Sequence, residues 1–407
     1  MKNNEKAILM LGCFDTKGED FTYLYNRLRF KGETVMTIDT GVMESDVRFP
    51  VDFENAKVAQ AANTDLETIK ANNDRGKAVE MMGKGAARII TNLVAQEQIK
   101  GVIGMGGGGG TYIALEAMQA VPMGMPKFCI STLAAKDLSR QIGVKDVTLM
   151  VSSVDVAGLN SVSKLQMDQA AAAIAAMANE GNLSLKNGEK RIAISMFGNT
   201  TACVNKCTEL LKAKGYEVLV FHATGVGGAT MEALIREGVF TAVLDVTTTE
   251  LADELLGGVL SAGSDRLTAA SEMGIPQIVA PGCLDMVNFS QMDTVPANYK
   301  DRKLYSWSPD VTLMRTNKEE GVVLGKMLAE KVNGSSAPAQ VLIPLKGISQ
   351  IDNTGEIFED RIADKALFES LEAHLSEKIK LKKIDAHIND AAFAEALVNS
   401  VLESLKN

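Results

Sequence analysis

Histidine is scarce: His222, His374 and His387 are the only three in 407 residues. No H-E-x-x-H segment, Ser-His-Asp order or paired-carboxylate motif stands out, so the standard metalloprotease and triad chemistries are not expected. Cysteine is sparse too. Cys13, Cys129, Cys203, Cys207 and Cys283 make no C-x-x-C pair. Cys203 and Cys207 share a helix face, but no further Cys or His pair stands nearby, so no metal site is expected. Reduced, packed thiols suit a reducing compartment. There is no basic excess: 42 Lys and Arg face 51 Asp and Glu, a net charge of -9. A broad nucleic-acid surface would need the opposite balance, so no nucleic-acid partner is expected. A small anionic ligand needs only a local positive field. No apolar run approaches the ~20 residues of a membrane span. The opening MKNNEKAILMLG lacks a signal-peptide pattern, so no membrane partner and a cytoplasmic location are expected.

What is present is ordinary globular material, 46% hydrophobic and 23% charged. At this length more than one domain is the expectation. Short apolar runs alternate with amphipathic stretches. AILMLG (7–12), ETVMTIDTG (33–41), GVIGMG (101–106), KFCIST (127–132) and VTLMVSS (147–153) read as strands. Helices are expected over Phe21–Phe30, around 75–97, from Tyr112, and over 162–180. This is the pattern of an α/β chain with mostly parallel sheets and helices on both faces. The polar stretch GNLSLKNGEK places a domain boundary near 184–190, giving domains 1–185 and 186–407.

The second half repeats the first. KAILMLGCFDT (6–16) parallels KRIAISMFGNT (190–200), and KGETVMTIDTGV (31–42) parallels KGYEVLVFHATGV (214–226). GMPKFCIST (124–132) parallels GIPQIVAPG (274–282), with shorter spacing in the second copy. A duplicated Rossmann-like unit that has lost a segment accounts for this. A strand VLIPLKG (341–347) and a helical C-terminal tail, near 360–380 and 389–405, complete the chain.

The strongest chemical signal is Gly104-Met105-Gly106-Gly107-Gly108-Gly109-Gly110-Thr111, between a strand and a helix. Without Cβ atoms, backbone N–H groups can close on phosphate oxygens, and the helix N-terminus adds partial positive charge. Gly104, Gly106 and Gly109 satisfy G-x-G-x-x-G. Yet the next strand lacks the acidic residue that reads a dinucleotide ribose, and no P-loop motif occurs. The expectation is a phosphate cradle of neither standard type.

A second signal, Cys13 to Asp20, follows the first strand. Thr16 and Glu19 have capping-box spacing. Lys17 in a first helical turn opposes the dipole, which a phosphate would offset. Asp15 could hold a ribose hydroxyl or a metal-bound water. Thr40-Gly41 and Ser131 end neighbouring strands, the address at which ligands of open α/β sheets bind. The second half offers His222, Thr224, Gly225, Gly227 and Gly228 as an anion nest with a candidate base. Thr247 and Thr248 follow, with Thr247 and Glu250 again at capping-box spacing. Arg266 and Arg315 could each fork onto a carboxylate or phosphate, and Thr316 with Glu319 is read as the cap of the helix after Arg315.

CFDTKGED, GVIGMGGGGGT, HATGVGG and DVTTTELADELLGGVLSAG together resemble one uncharacterised family. It includes the N-terminal inhibitory domain of the tomato mosaic virus resistance protein of tomato, and the likeness covers nearly the whole chain. The resemblance implies two Rossmann-like domains, dimers, and ATP bound in the N-terminal domain. On this chain ATP would touch the Asp15–Glu19 and Gly106–Thr111 loops. No counterpart of the plant protein's TIM-barrel-like extension is expected on this chain, and its antiviral role is not implied.

Two functions are expected to compete. One is an ATP-binding enzyme acting on a small anionic metabolite in the interdomain cleft, with Mg²⁺ bridging the phosphates, His222 and Arg266 catalytic, and the other second-half groups binding substrate. The other is a non-catalytic, nucleotide-responsive module controlling partner association as a homo-oligomer. A nicotinamide oxidoreductase is disfavoured by the missing acid.

Overall fold

In the computed structural model, which describes residues 6–180 and 190–406, the apolar run AILMLG is buried along its whole length. A strand buried on both faces needs a sheet with helices above and below, and the chain supplies them. The elements of the first half are β1 (Ala7–Gly12), α1 (Phe14–Phe30), β2 (Val35–Asp39), α2 (Asn55–Ala61), α3 (Leu66–Ala71) and α4 (Arg75–Ala95). They continue as β3 (Ile99–Gly106), α5 (Gly108–Met118), β4 (Lys127–Ser131), α6 (Ser139–Ile142), β5 (Val147–Val151) and α7 (Ser161–Asn179). All five strands are parallel, in the order β2-β1-β3-β4-β5. Alternate residues of β1 serve opposite cores. Leu9 and Leu11 pack with Met82 of α4 and Ile113 of α5. Ile8 and Met10 pack with Phe21 of α1 and Met167 of α7.

The second half contains β6 (Arg191–Met196), α8 (Thr201–Ala213), β7 (Glu217–His222), α9 (Val226–Arg236), β8 (Ala242–Thr247), α10 (Glu250–Leu256) and α11 (Ala269–Met273). β9 (Gln277–Gly282), β10 (Met286–Phe289), β11 (Leu304–Ser308), β12 (Val311–Arg315), α12 (Lys318–Asn333), β13 (Ala339–Pro344), α13 (Arg361–His374), β14 (Lys380–Ile384) and α14 (Ala391–Ser404) follow. The main sheet runs β14-β13-β9-β8-β6-β7, every pairing parallel. Counted from its own first strand, that is the winding of the first half with one more strand at the far edge. The repeats seen in the sequence fall on β1 and β6, β2 and β7, and β4 and β9. Each pair holds the same place in its sheet, as duplication requires. The shorter second copy is explained as well. Three helices, α2 to α4, join β2 to β3, whereas α9 alone joins β7 to β8.

The chain divides into two compact units, Met1–Leu185 and Lys186–Asn407. The boundary expected near 184–190 lies, apart from Lys190, outside the described residues. Several local expectations change. The helix expected over Phe21–Phe30 starts at Phe14, with a kink at Lys17 (φ -133°, ψ 28°). The helix expected from Tyr112 starts at Gly108, so the glycines themselves form its first turn. Glycine's poor propensity hid that turn from a sequence reading. An antiparallel sheet, β10-β12-β11, and the strand β14 between the two tail helices were not anticipated. β14 is Lys-rich and lies at an edge, so its apolar pattern is weak.

Candidate functional site

In a 2-1-3-4-5 winding, the connections leaving β1 and β3 go to opposite faces of the sheet. A crevice opens between them at the carboxyl ends, where open α/β sheets bind ligands. Both signals of the first half, the glycine loop and the segment that follows β1, border this crevice. A cavity of about 630 Å³ occupies it, within the ~300–1,000 Å³ typical of small-molecule sites.

Gly106 ends β3, Gly107 is the N-cap of α5, and Gly108, Gly109 and Gly110 make its first turn. No side chain caps this helix end. The first N–H groups of any helix lack intrahelical partners, so they are directed outward here. The glycines differ in what the protein asks of them. At Gly106 a Cβ would come within 2.7 Å of the Gly110 backbone, so only glycine fits. At Gly109 it would meet Val79 at 3.2 Å, a tight contact with a side chain. At Gly107 and Gly110 the nearest atoms would be 3.8 and 3.5 Å away, ordinary contact, and at Gly108 nothing lies within 4 Å. The protein's own packing therefore does not account for Gly107, Gly108 or Gly110, which line the cavity. Two expected contacts lie beneath the loop instead. The Thr111 hydroxyl is buried, donates to Gly106 O and shares a 2.6 Å hydrogen bond with Ser131 Oγ, which also accepts from Leu133 N. Thr111 and Ser131 thus brace the loop from inside and offer nothing to a ligand.

Across the crevice, Asp15 Oδ2 accepts from the N–H groups of Val42 and Met43 at 3.0 Å each. A Cβ on Gly41 would collide with that carboxyl at 2.4 Å, so Gly41 is glycine because Asp15 is there. Asp15 Oδ1 is buried without a hydrogen-bond partner, in a residue that lines the cavity. Asp39 ties the same corner together, accepting from Phe14 N and Gly41 N, and burial pushes its carboxyl pKa up. The Thr40 side chain is buried and lies 3.7 Å from Cys13 Sγ. Burial pushes that thiol up to about 11, so Cys13 is no thiolate nucleophile.

The expected Thr16–Glu19 capping box is not formed. The helix has already begun at Phe14, and Thr16 Oγ1 donates to Cys13 O instead. Thr16 lines the cavity; Glu19 is exposed and outside it. Lys17 also lines the cavity, with its ammonium donating to Val156 O.

Arg75 was missed by sequence reasoning. It opens α4, lines the cavity, and has a guanidinium nitrogen 3.9 Å from where a Gly109 Cβ would stand. Its side chain makes no hydrogen bond or ion pair with a described residue. The signal was available: like Lys17, Arg75 is a cation in a first helical turn, opposing the dipole.

In the second unit the structure withdraws most candidates. Arg266 is buried and spent on three carboxylates, with Nε 2.6 Å from Glu250, Nη2 2.5 Å from Asp245 and Nη1 3.0 Å from Glu232. The expected nest is filled by the protein itself, because Glu250 Oε1 accepts from Gly225 N at 2.9 Å and Gly228 N at 3.2 Å. Gly225, Gly227 and Gly228 are each demanded internally: Gly225 has φ +80°, a Gly227 Cβ would strike His222 O, and a Gly228 Cβ would strike Glu250. Glu250 is therefore no capping-box partner of Thr247. Thr247 Oγ1 pairs with Thr200 at 2.7 Å, and Thr248 Oγ1 donates to Ala280 O, both buried. Arg315 is buried too, donating to Asp364 at 2.6 Å and to Phe358 O at 2.7 Å. The cap after it is Asn317 with Glu320, one residue beyond the expected Thr316 and Glu319. His222 is exposed, its ring 5.6 Å from that of Phe197; Thr224 Oγ1 donates to His222 O.

Models of the N-terminal and C-terminal domains of the uncharacterised protein family UPF0261 match residues 6–182 and 189–405. The chain belongs to the UPF0261 family. A UPF0261 protein of Clostridium tetani is 44% identical over 402 residues, covering 98% of this chain and 99% of its own length. One from Rhizobium meliloti is 42% identical, covering 97% and 98%. The tomato mosaic virus resistance protein Tm-1(GCR237) of Solanum lycopersicum is 38% identical across 99% of this chain, which spans 56% of the tomato protein. UPF0261 thus includes the tomato relative that the four motifs implied. Among solved structures, UDP-GlcNAc 2-epimerase of Neisseria meningitidis with UDP-GlcNAc covers 98% of this chain and 100% of its own. The identity is 12% and the TM-score 0.23, at which level nothing transfers to this UPF0261 chain.

Proposed function

We propose that this chain is a cytoplasmic ATP-binding protein whose first unit holds the oligophosphate on the N–H groups of Gly108, Gly109 and Gly110. The observation that carries the reading is the contrast between the two units. Gly225, Gly227 and Gly228 of the second unit's nest are required by the chain's own contacts and backbone, whereas Gly107, Gly108 and Gly110 leave room that only an occupant would use. Arg75 and Lys17 bring positive charge to the same cavity. Asp15 Oδ1 is suited to a ribose hydroxyl or a magnesium-bound water, and Asp155 is a second carboxylate on the lining. Among the described residues no group of three or more His, Cys, Asp or Glu forms a cation cage, so Mg²⁺ would be held chiefly by the phosphates. Its chemistry there would be charge neutralisation at the transferring phosphoryl group. Five free cysteines, four of them buried, support the cytoplasm, and no helix among the described residues is long and apolar enough to cross a membrane.

As an enzyme, the protein would transfer a phosphoryl group to, or activate, a small anionic metabolite. His222 and Thr224 are the second-unit candidates left for that role. A second reading gains support from Arg266, Arg315 and the Gly225–Gly228 nest being committed internally. In it ATP is held rather than consumed and governs association of a homodimer or another partner. Calorimetric titration with ATP and magnesium tests the binding itself, and absence of heat and of thermal stabilisation refutes it. ATP turnover in a metabolite pool then favours the enzyme. Binding without turnover, with a sedimentation coefficient that changes with ATP, favours the module.

A further inference from the structure

We infer that the site recognises the ligand beyond the phosphates by shape and stacking alone, so that it takes purine nucleoside triphosphates without separating adenine from guanine. This rests on the ATP-binding reading and names what that reading leaves open. Arg75, Ala78, Val79 and Met82 are spaced 0, 3, 4 and 7 along α4, so they form one face of the helix. All four line the cavity, and Ile113 of α5 and Val42 continue the wall. Apart from Arg75, these side chains are hydrocarbon or thioether.

The wall's backbone is no better supplied. Lys77 N donates to the Asp74 side chain and Ala78 N to Asp74 O, so the end of α4 is closed before the wall begins. From there the helical ladder uses each N–H and C=O. Val42 N is already given to Asp15. A ring laid against this face clear of Arg75 therefore meets hydrocarbon and thioether side chains without donors or acceptors. Selectivity between isosteric rings needs a polar group that one ring satisfies and the other leaves unpaired.

The polar groups lie elsewhere. Thr16 and Thr40 are engaged with Cys13. Lys17, Arg75 and the glycine amides belong to the phosphate end. Asp155 comes to the lining from the segment between β5 and α7, whose Val156 packs into the core on the opposite face of the sheet from Val79 and Met82. The α4 part of the wall belongs to the three-helix connection between β2 and β3, whereas α9 alone joins the equivalent strands of the second unit. Among the described residues, only the first unit therefore has both an open cradle and an apolar face of this kind beside it.

The test is calorimetric titration of the full chain with the magnesium salts of ATP, GTP and tripolyphosphate. ATP and GTP are expected to bind within about threefold of each other, with tripolyphosphate roughly tenfold or more weaker for want of apolar burial. Val79→Asn, at a half-buried position, should weaken both nucleotides alike, and by a larger factor than it weakens tripolyphosphate. A preference beyond about thirtyfold between ATP and GTP overturns the inference while leaving the cradle intact; a GTP preference would point to Asp155 as a guanine reader. Tripolyphosphate binding as tightly as ATP overturns it as well, because the wall would then contribute nothing. Failure of all three to bind removes the cradle and this inference together.

Discussion

Gly108→Ala should stabilise the empty protein and cripple nucleotide binding. Gly108 is the first residue of α5, and a Cβ added there meets no heavy atom within 4 Å. Replacing glycine by alanine at a compatible position stabilises by about 0.4–1 kcal/mol, chiefly by restricting the unfolded chain. The bound state responds the other way. A phosphate oxygen accepting from this amide makes a hydrogen bond to a charged group, worth about 1.5–3 kcal/mol. Losing one such contact to a methyl group should raise Kd by roughly 10- to 150-fold. Gly106→Ala is the internal control. Its Cβ would lie 2.7 Å from the Cα and carbonyl carbon of Gly110 and 2.8 Å from Thr111 N. Overpacking of that kind costs about 1–3 kcal/mol, so this variant should melt lower whatever it binds. Thermal unfolding without ligand, followed by calorimetric titration with ATP, separates the two effects. The backbone cradle is refuted if Gly108→Ala binds ATP with the wild-type Kd. The packing argument is refuted if it destabilises the empty protein as much as Gly106→Ala does.

Arg75→Gln should weaken ATP by about five- to tenfold and flatten the salt dependence of binding, since an exposed charge contributes on the order of 1 kcal/mol; the melting temperature of the empty protein should not fall. Glu250→Ala strips the buried acceptor from Gly225 N, Gly228 N and Arg266 Nε, each worth about 1–3 kcal/mol when left unpaired, and should lower stability in urea unfolding by at least about 2 kcal/mol; a loss below about 0.5 kcal/mol would contradict the reading of Glu250 as the internal occupant of the nest. Burial pushes the Asp253 carboxyl from its usual 3.8 to about 7, and the Asp285 carboxyl to about 6. The folded chain keeps these protons to higher pH than the unfolded chain does, so stability is full below about pH 4 for these groups and is lost as pH rises through about 7. Melting temperatures should accordingly be higher at pH 5.5 than at pH 8, and a flat or rising profile would show that these carboxyls ionise normally.

The sequence by itself determined the alternation of strand and helix, the duplicated winding and the glycine loop, because these are local matters. A strand buried on both faces must be continuously apolar, as AILMLG is, and a run of glycines between strand and helix is visible wherever it occurs. It could also place Asp15, Lys17, Gly41 and the glycine loop at strand ends. Only the tertiary structure decided which candidates were free. Arg266 and Arg315 look alike as isolated arginines, but each proved to be enclosed by acids brought from distant elements. The Gly225–Gly228 nest and the Gly106–Gly110 loop read as the same kind of signal. One is filled by Glu250, 22 residues or more away along the chain; the other faces open space. Arg75 reached the loop only because α4 crosses back over the sheet. Whether a polar group is spent depends on partners remote in sequence, and an amide or guanidinium carries no mark of its partner until the chain has folded.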